Sequence, residues 1–399
     1  MVALLWPVAL LNYLDRQMLA AMKFSVMADI PSIGTEANWG RMLGQFKWVY
    51  AFLSPVGGYI ADRFSRRFTI CGSLFVWSAI TFLTAHVRSY DGLLMTRSLM
   101  GISEAFYIPA ALALIADYHT GRTRSRAVGL HQMAIYFGVI LGGFSGYVAD
   151  APQLGWRFLF SACGVVGIVY AFPLFFLLRE APKSLTNLVR DQKSPLQAAM
   201  ELLRNGSFIL LVLYFTLPAL AGWIVRDWMP AILKQQFNIG QGKAGVSATL
   251  YWQAAAIVGA VFGGWLADRW MRRHERGRIF VSAIGMCLII PALFGVGSAS
   301  SLTIAIVFLA LFGLGWGFFD CNNMPILCQV VRPELRATGY GIMNLVSISC
   351  GGFADWGFGV MRDAKFPLNA IFAVFASAAI ISVVLVLLIR PRETANQSA

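Results

Sequence analysis

Five basic side chains lie inside long apolar segments of this 399-residue sequence, where a charge is costly and tends to be functional. They are Arg16, Lys23, Lys47, Arg97 and Arg226. A guanidinium is a rigid fork that matches the geometry of a carboxylate, so buried arginines suit the binding of organic anions. The sequence therefore predicts that the protein binds an anion in its interior.

A carboxylate accompanies one of these arginines at helical spacing. Arg97 and Glu104 are seven residues apart, nearly two turns, so both lie on one helix face with Gly101 between them. Such a pair suits proton transfer, because the arginine balances the ionised carboxylate while burial favours the neutral acid. A permanent salt bridge is the alternative. Asp15 beside Arg16 is a further proton-coupling candidate, although adjacent helical residues point about 100° apart.

Other polar residues in the apolar segments are candidates for contacts with a substrate. Lys47 either adds to the attraction for an anion or pairs with Asp15 or Asp355. Gln132 is suited to hydrogen bonds with sugar hydroxyls. Its neighbour His131 is expected to be a satisfied core histidine rather than a coupling group.

Polar residues also interrupt the apolar segment near position 320. Asp320 and Asn323 share one helical face just before Pro325. They are expected either to line a cavity or to form polar contacts between helices. Asn344, farther along the chain, completes the set of residues predicted to contact substrate.

The elements that must position these residues are membrane-spanning helices. Of all residues 58% are hydrophobic and 13% are charged, with a mean hydropathy of +0.66, whereas soluble domains have about 25% charged residues. Apolar runs long enough to cross about 30 Å of hydrocarbon recur, and they lack the alternation of barrel strands. The sequence predicts an all-α polytopic membrane protein with twelve transmembrane helices, near 2–27, 40–60, 68–87, 92–116, 126–148, 157–178, 207–233, 244–266, 278–297, 302–327, 337–361 and 367–389.

The net charge of +13 follows from where the basic residues lie. Of the 32 Lys and Arg residues, 20 follow the even-numbered predicted spans, 7 lie on the opposite side and 5 lie within spans. By the positive-inside rule, both termini are predicted to be cytoplasmic. Contact with the anionic lipids of the bilayer accounts for these charges, and no nucleic acid is expected as a partner.

Motifs for several other kinds of chemistry are missing from the sequence. The six cysteines lie in apolar surroundings without CxxC spacing, which argues against a zinc site or a disulfide framework. Neither a Walker lysine after a glycine-rich loop nor an HExxH motif is present. We therefore expect no cofactor and no enzymatic activity, with a proton as the coupling ion and sodium left open.

A long internal repeat divides the chain. Residues 57–67 read GGYIADRFSRR, and residues 263–273 read GGWLADRWMRR. Two weaker repeated motifs follow in the same order in both parts of the chain. The repeat indicates two six-helix halves in parallel orientation. We predict an N-terminal half at 1–178, a cytoplasmic linker at 179–206 and a C-terminal half at 207–399.

The GxxxDRxxRR turn after the second span, repeated after the eighth, resembles the signature of the major facilitator superfamily. The resemblance implies that two halves rock around a substrate near the membrane midplane, which gives alternating access. It also implies a cytoplasmic gate in which Asp62 caps the start of the eleventh span, while Arg63 and Arg67 pair with Asp117. A weaker counterpart in the second half would comprise Asp268, Arg269 and Arg273.

Residues 12–16 (NYLDR), the segment from Arg97 to Glu104 and Arg226 resemble the organic anion transporters of that superfamily, which include bacterial sugar-acid symporters, sialin and vesicular glutamate transporters. The resemblance implies that Arg16 and Arg226 contact an anionic substrate and that Arg97 and Glu104 couple its transport to protons. Tyr13, in the same motif, is included in the predicted substrate site. A monomeric symporter of a small organic anion in a bacterial inner membrane is expected.

A second resemblance leaves the cargo open. Residues 55–67, 77–82 and the segment from Arg97 to Ala105 also resemble the spinster-like lysolipid transporters. A lipid carrier would have an apolar channel open sideways between helices, whereas a sugar-acid carrier would have a closed polar cavity. Arg226 and the polar residues of the tenth span favour the anion. The alternative is proton-coupled transport of a lysophospholipid or sphingolipid.

Overall fold

The computed structural model describes residues 1–63, 65–119, 123–180, 195–332 and 335–391. The side chains of residues 58–63, 124–125 and 195–196 are outside this description. The described part is helical, which confirms the predicted all-α fold. Its helices are α1 (Val2–Ala21), α2 (Lys23–Asp29), α3 (Glu36–Arg63), α4 (Arg66–Thr84), α5 (Tyr90–Glu104), α6 (Tyr107–Tyr118), α7 (Arg124–Asp150), α8 (Gly155–Leu177), α9 (Pro195–Leu203), α10 (Gly206–Asp227), α11 (Met229–Phe237), α12 (Gln241–Met271), α13 (Gly277–Ser298), α14 (Leu302–Val330), α15 (Arg336–Asp363) and α16 (Leu368–Leu388).

Each of the twelve predicted segments is helical over most of its length, and three of them are interrupted. The first is divided into α1 and α2, the fourth into α5 and α6, and the seventh into α10 and α11. The short helix α9 lies within the predicted linker and was not among the predicted spans. The part of that linker at 181–194 lies outside the described residues, so the linker and the division into halves stay predictions.

Two of these interruptions have a proline as their cause. Proline has no N–H to donate to the carbonyl four residues earlier, and its ring crowds that oxygen. Pro109 acts in this way on the carbonyl of Ala105, directly after the end of α5 at Glu104. Pro230, in the first turn of α11, acts in the same way on the carbonyl of Arg226. Both breaks therefore lie beside a charged residue of the predicted site.

Nine of the described stretches are long and apolar enough to cross a membrane, judged by length and composition alone. Three long helices, α1, α3 and α15, are not among them. These are the helices that carry Asp15, Arg16, Lys47 and Asp355 in their interiors. Their lower apolar content therefore reflects polar residues that they bury in the protein.

The chain divides into two compact units, which we call unit 1 and unit 2. Unit 1 comprises residues 1–190, 224–250 and 351–364. Its apolar core is formed by side chains of α1, α4, α6, α7 and α8, with Trp77 fully buried at the centre. The close packing of α1 against α7 is made by glycines, since a Cβ on Gly138 or Gly142 would collide with α1. The rigid core positions the polar face of α1.

Unit 2 comprises residues 191–223, 251–350 and 365–399. In it, α13 packs against both α14 and α16. The contact between α13 and α14 is close because Gly285 and Gly315 face each other, and a Cβ on either would meet the carbonyl oxygen of the other. Aromatic rings fill the adjoining space, where Trp316 stacks on Phe312 at 5.8 Å between ring centroids.

Candidate substrate and proton site

The centre of unit 1 contains a buried ion pair between α1 and α5. Both Nε and Nη2 of Arg16 lie 2.7 Å from Oε2 of Glu104. Glu104 is fully buried, and the side chain of Arg16 is 16% exposed. The other carboxylate oxygen of Glu104, Oε1, has no hydrogen-bond partner among the described residues. Arg16 is therefore held by Oε2 of Glu104 alone, and Oε1 can still accept a hydrogen bond.

Three aromatic rings surround the guanidinium of Arg16. Its Cζ lies 4.8 Å from the ring centroid of Tyr13, 4.7 Å from that of Phe46 and 4.9 Å from that of Tyr50. The negative faces of aromatic rings attract a cation, and this attraction grows when water is excluded. The rings thus keep the guanidinium in place without consuming its hydrogen-bond donors, which remain available to a carboxylate.

A second arginine approaches the same tyrosine. The Cζ of Arg226, near the end of α10, lies 5.7 Å from the ring centroid of Tyr13. The backbone carbonyl of Arg226, which Pro230 leaves without a helical donor, accepts a hydrogen bond from Nε2 of Gln17 at 3.0 Å. The structure therefore brings Tyr13, Arg16 and Arg226 together, as the sequence predicts for the substrate site.

Asp15 and Arg97 lie in the same charged region. Arg97 is buried and lies within electrostatic reach of both Glu104 and Asp15. Its Nε and Nη2 have no hydrogen-bond partner in the part of the chain that the structure describes. Asp15 is also buried, and it accepts a hydrogen bond from Oγ1 of Thr81 at 2.9 Å. Two carboxylates and two guanidinium groups thus share one buried region, which is suited to moving a proton between ion pairs.

Lys47 occupies a separate buried cluster of unit 1. Its Nζ contacts Oδ2 of Asp227 at 2.5 Å and also pairs with Oδ2 of Asp355. All three side chains are buried. Of the two pairings expected for Lys47, that with Asp355 is confirmed. The alternative pairing with Asp15 is not among the described ion pairs of Lys47, which are those with Asp227 and Asp355. The second partner, Asp227, was missed, although its place beside Arg226 in an apolar segment was the available signal.

The family follows from the match of most of the chain to a protein-family model. Residues 5–354 match the model described as Major Facilitator Superfamily, and this range includes the residues of both buried clusters. The chain belongs to the major facilitator superfamily. It is therefore a multi-pass membrane transporter, as its apolar helices indicate.

Relatives of this transporter include both spinster proteins and a probable sugar-acid transporter. It is 27% identical over 371 residues to protein spinster homolog 1 of Xenopus tropicalis, with 87% of this chain and 69% of the relative covered. It is 26% identical over 400 residues to the probable L-galactonate transporter of Escherichia coli K12, with 94% and 86% covered. The resemblances to sugar-acid and spinster transporters that the motifs indicate are thus both confirmed.

Solved structures agree on the fold of this transporter. A bacterial homologue of the human lysosomal transporter Spinster, in an inward-facing and occupied conformation, superimposes with a TM-score of 0.76. The identity is 20%, with 97% of this chain and 94% of the other covered. A bacterial Spinster homologue in an inward-facing and unoccupied conformation gives a TM-score of 0.77 at 21% identity, with the same coverage. At these identities the likeness establishes the fold.

The remaining predicted substrate residues of this transporter belong to α7, α14 and α15. In unit 1, Gln132 is half-buried on α7, and His131 is buried with Nε2 at 3.0 Å from the hydroxyl of Tyr107. The expectation of a satisfied core histidine is therefore confirmed. In unit 2, Asn323 is buried on α14, Asn344 is half-buried on α15 and Asp320 is exposed. Their contacts with a substrate stay predictions.

The predicted first-half gate requires a correction. The side chains of Asp62 and Arg63 lie outside the described residues. Asp117 pairs with Arg66 rather than Arg67, so the predicted pairing of Arg67 with Asp117 is wrong. Arg67 points elsewhere because adjacent residues in a helix diverge by about 100°, and its Cζ lies 4.6 Å from the ring centroid of Phe175.

The second-half counterpart of this gate lies in unit 2. Asp268 pairs with Nη2 of Arg278 at 2.8 Å. Arg269 lies over the ring of Trp265 at 5.9 Å, and Arg273 is exposed. Arg278 was not among the predicted gate residues, although it belongs to the same basic segment of the sequence. The gating role of Asp268, Arg269 and Arg273 stays a prediction.

Proposed function

We propose that this transporter is a proton-coupled symporter of a small organic anion of the sugar-acid class. The observation that carries the proposal is the pairing of Arg16 with Glu104 at 2.7 Å, with Arg226 also close to the ring of Tyr13. A carboxylate substrate and Glu104 require the same guanidinium donors. The guanidinium of Arg16 therefore links protonation of Glu104 to binding of the anion.

Competition for Arg16 supplies the coupling step. While Glu104 is ionised, it accepts a hydrogen bond from Nε of Arg16, forms an ion pair with Nη2 and screens the charge that an incoming anion requires. When Glu104 takes up a proton, Arg16 is released to form a charge-assisted, bidentate pair with a substrate carboxylate. Arg226 then offers a second cation, 5.7 Å from the ring centroid of Tyr13. By linkage, the bound anion favours protonated Glu104 to the same degree that the proton favours anion binding.

Asp15 and Arg97 provide a route for the proton. Arg97 interacts electrostatically with both Asp15 and Glu104, so a proton that leaves one carboxylate leaves a charge that the same guanidinium balances. The proposal assigns proton coupling to Asp15, Arg97 and Glu104. With the cytoplasmic termini and bacterial inner membrane that the sequence predicts, a proton and an anion enter from outside and leave together on the more alkaline side. A monomer suffices for this cycle, and no cofactor is required.

A second candidate cargo is a lysophospholipid or sphingolipid. The similarity to protein spinster homolog 1 over 87% of this chain supports it. In that case Arg16 would bind the phosphate of a headgroup, while the proton coupling at Glu104 would remain the same. The sugar acid is preferred because both cations near Tyr13 lie among polar and aromatic groups, which suit a small hydrophilic anion.

Uptake into proteoliposomes tests the proposal. Purified transporter is reconstituted, and accumulation of radiolabelled galactonate, glucuronate and lysophosphatidylcholine is measured with and without an inward proton gradient. We expect gradient-driven accumulation of a sugar acid, and we expect Glu104→Gln to retain exchange while losing accumulation. Accumulation of lysophosphatidylcholine alone would favour the second cargo. Undiminished accumulation by Glu104→Gln would refute the coupling role of Glu104.

A further inference from the structure

One seam of unit 1, between α3 and the end of α15, is packed unusually closely. A Cβ added to Gly40 on α3 would collide with the backbone carbonyl of Asp355 on α15. At the start of α3, the carboxylate of Asp363 accepts the backbone N–H groups of Glu36 at 3.0 Å and Ala37 at 2.8 Å. This carboxylate caps the helix and is favoured by its dipole. The two helices are therefore joined at several points along the seam.

The Lys47 cluster lies at the inner end of this seam. Lys47 belongs to α3, Asp355 to α15 and Asp227 to the last turn of α10, and Lys47 contacts both carboxylates. If all three groups were ionised, the cluster would carry a net charge of −1 in a buried place. Asp355 is fully buried, and its Oδ1 has no hydrogen-bond partner among the described residues. An unbalanced buried charge is strongly disfavoured, and one bound proton removes it.

Among the described ion pairs, Asp227 and Asp355 each pair with Lys47, and no second cation contacts either carboxylate. Trp228, next to Asp227, is buried and lies 4.7 Å from Phe358 between ring centroids. Lys23, whose Nζ lies 4.7 Å from the ring centroid of Trp228, pairs with Glu36, so that charge is already balanced. The other charged groups near the seam are Arg226 beside Tyr13, Arg362, and Asp363 at the start of α3.

We propose that Lys47, Asp227 and Asp355 form a second proton-binding site, which takes up one proton when α3 and α15 pack together and releases it when they separate. The packed cluster is then neutral, with one ionised carboxylate facing Lys47 and one carboxylic acid. When the seam opens, water solvates both carboxylates and the proton leaves. This site is separate from the Arg16–Glu104 pair, and it rests on the proposed function only in requiring that the seam opens during the transport cycle.

The direction of the pH effect follows from linkage. The packed seam holds one proton more than the open seam, so acid conditions favour packing and alkaline conditions favour opening. One linked proton changes the equilibrium by about tenfold for each pH unit in the range where the proton is exchanged. The loop charges of the sequence predict that this seam faces the outside. An acidic exterior would then promote closure of the outer side behind a bound anion and proton.

Hydrogen–deuterium exchange of the purified transporter in nanodiscs tests this site without any substrate. Exchange of peptides from 36–50 and 351–363 is measured between pH 5.5 and 7.5 and corrected for the intrinsic rate at each pH. In the wild type we expect these peptides to lose protection by about tenfold for each pH unit. In Asp355→Asn the cluster is neutral without a proton, so protection should become independent of pH. Asp227→Asn should behave in the same way.

The matched control is Glu36→Gln, which removes the partner of a second buried lysine at the same seam. The pair of Lys23 with Glu36 is balanced one to one, so this variant should change the level of protection but keep the wild-type pH slope. A pH-independent wild-type seam, or an unchanged slope in both aspartate variants, would overturn the proposal. Loss of the slope in Glu36→Gln alone would assign the proton to the Lys23 pair instead. Failure of sugar-acid uptake would leave the seam result intact.

Discussion

Unit 1 and unit 2 bury polar groups of different kinds. The buried charged side chains of the described residues all belong to unit 1, and they are Asp15, Lys23, Lys47, Arg97, Glu104, Asp227 and Asp355. In unit 2 the buried polar side chains are neutral, and they are Thr216, Gln253, Ser282, Asn322, Asn323, Ser347 and Ser382. The difference indicates that ion chemistry is concentrated in unit 1, while unit 2 provides a neutral polar framework.

The internal repeat makes this difference specific. The repeat that relates Gly57 to Gly263 also relates Lys47 to Gln253 at the same separation. Lys47 is 4% exposed and has two carboxylate partners, whereas Gln253 is 0% exposed and its amide atoms have no hydrogen-bond partner among the described residues. The same position of two related helices thus carries a lysine with two carboxylate partners in one unit and a neutral amide in the other.

The largest expected effect comes from placing a charge in unit 2. In Gln253→Lys an ammonium is buried at the repeat position without the two carboxylates that Lys47 has. An uncompensated buried charge costs about 3–5 kcal/mol, so we expect the thermal unfolding midpoint in detergent to fall sharply. Gln253→Met, of similar length but neutral, is the control and should unfold near the wild type. Equal midpoints for the lysine and methionine variants would remove the distinction between the units.

A smaller effect is expected from the rings around Arg16. Phe46→Leu removes one of its three aromatic neighbours, and a desolvated cation–π contact is worth about 1–2 kcal/mol. If the rings position Arg16 for substrate, sugar-acid binding measured by calorimetry should weaken by about tenfold. The control in unit 2 is Phe312→Leu, whose ring stacks on Trp316 rather than on a cation. Sugar-acid binding by Phe312→Leu should be unchanged. An equal loss of affinity in both variants would show a general packing effect.

A neutral buried group of unit 2 should be replaceable at little cost. Both amide atoms of Asn323 lack a hydrogen-bond partner among the described residues. Replacing such a group with an apolar one of similar shape is nearly neutral or stabilising, so Asn323→Leu should change the unfolding free energy by less than about 1 kcal/mol. Chemical denaturation in mixed micelles measures this value. A loss of several kcal/mol would mean that Asn323 has a partner essential to unit 2.

The smallest effect is expected at the ion pair of Asp268 with Arg278. The side chain of Asp268 is 68% exposed, and exposed pairs contribute about 0–1 kcal/mol. Arg278→Ala should therefore leave the thermal midpoint almost unchanged, and added salt should have no further effect. Transport is the more informative readout, because a gating role for Asp268 would appear in the rate without a change in stability. A large loss of stability would contradict the surface character of this pair.

Much of the fold was predictable because membrane burial imposes long apolar runs. The three interruptions were not predicted, although Pro109 and Pro230 explain two of them once the helix bounds are known. Spacing within a helix placed Arg97 and Glu104 on one side. It did not reveal that Arg16 is the partner of Glu104, since that contact joins residues 88 positions apart. Asp227 was missed for the same reason, because only the tertiary packing brings it to Lys47.

The central claim is that an anion and Glu104 compete for Arg16, and proton uptake on binding tests it most directly. A sugar acid that the transporter binds is added to the purified protein in weakly buffered solution, and the pH change is followed with an indicator dye. We expect the wild type to take up about one proton for each anion bound, because binding favours protonated Glu104, and Glu104→Gln to bind the anion without proton uptake. Binding without proton uptake by the wild type, or unchanged uptake by Glu104→Gln, would contradict the account.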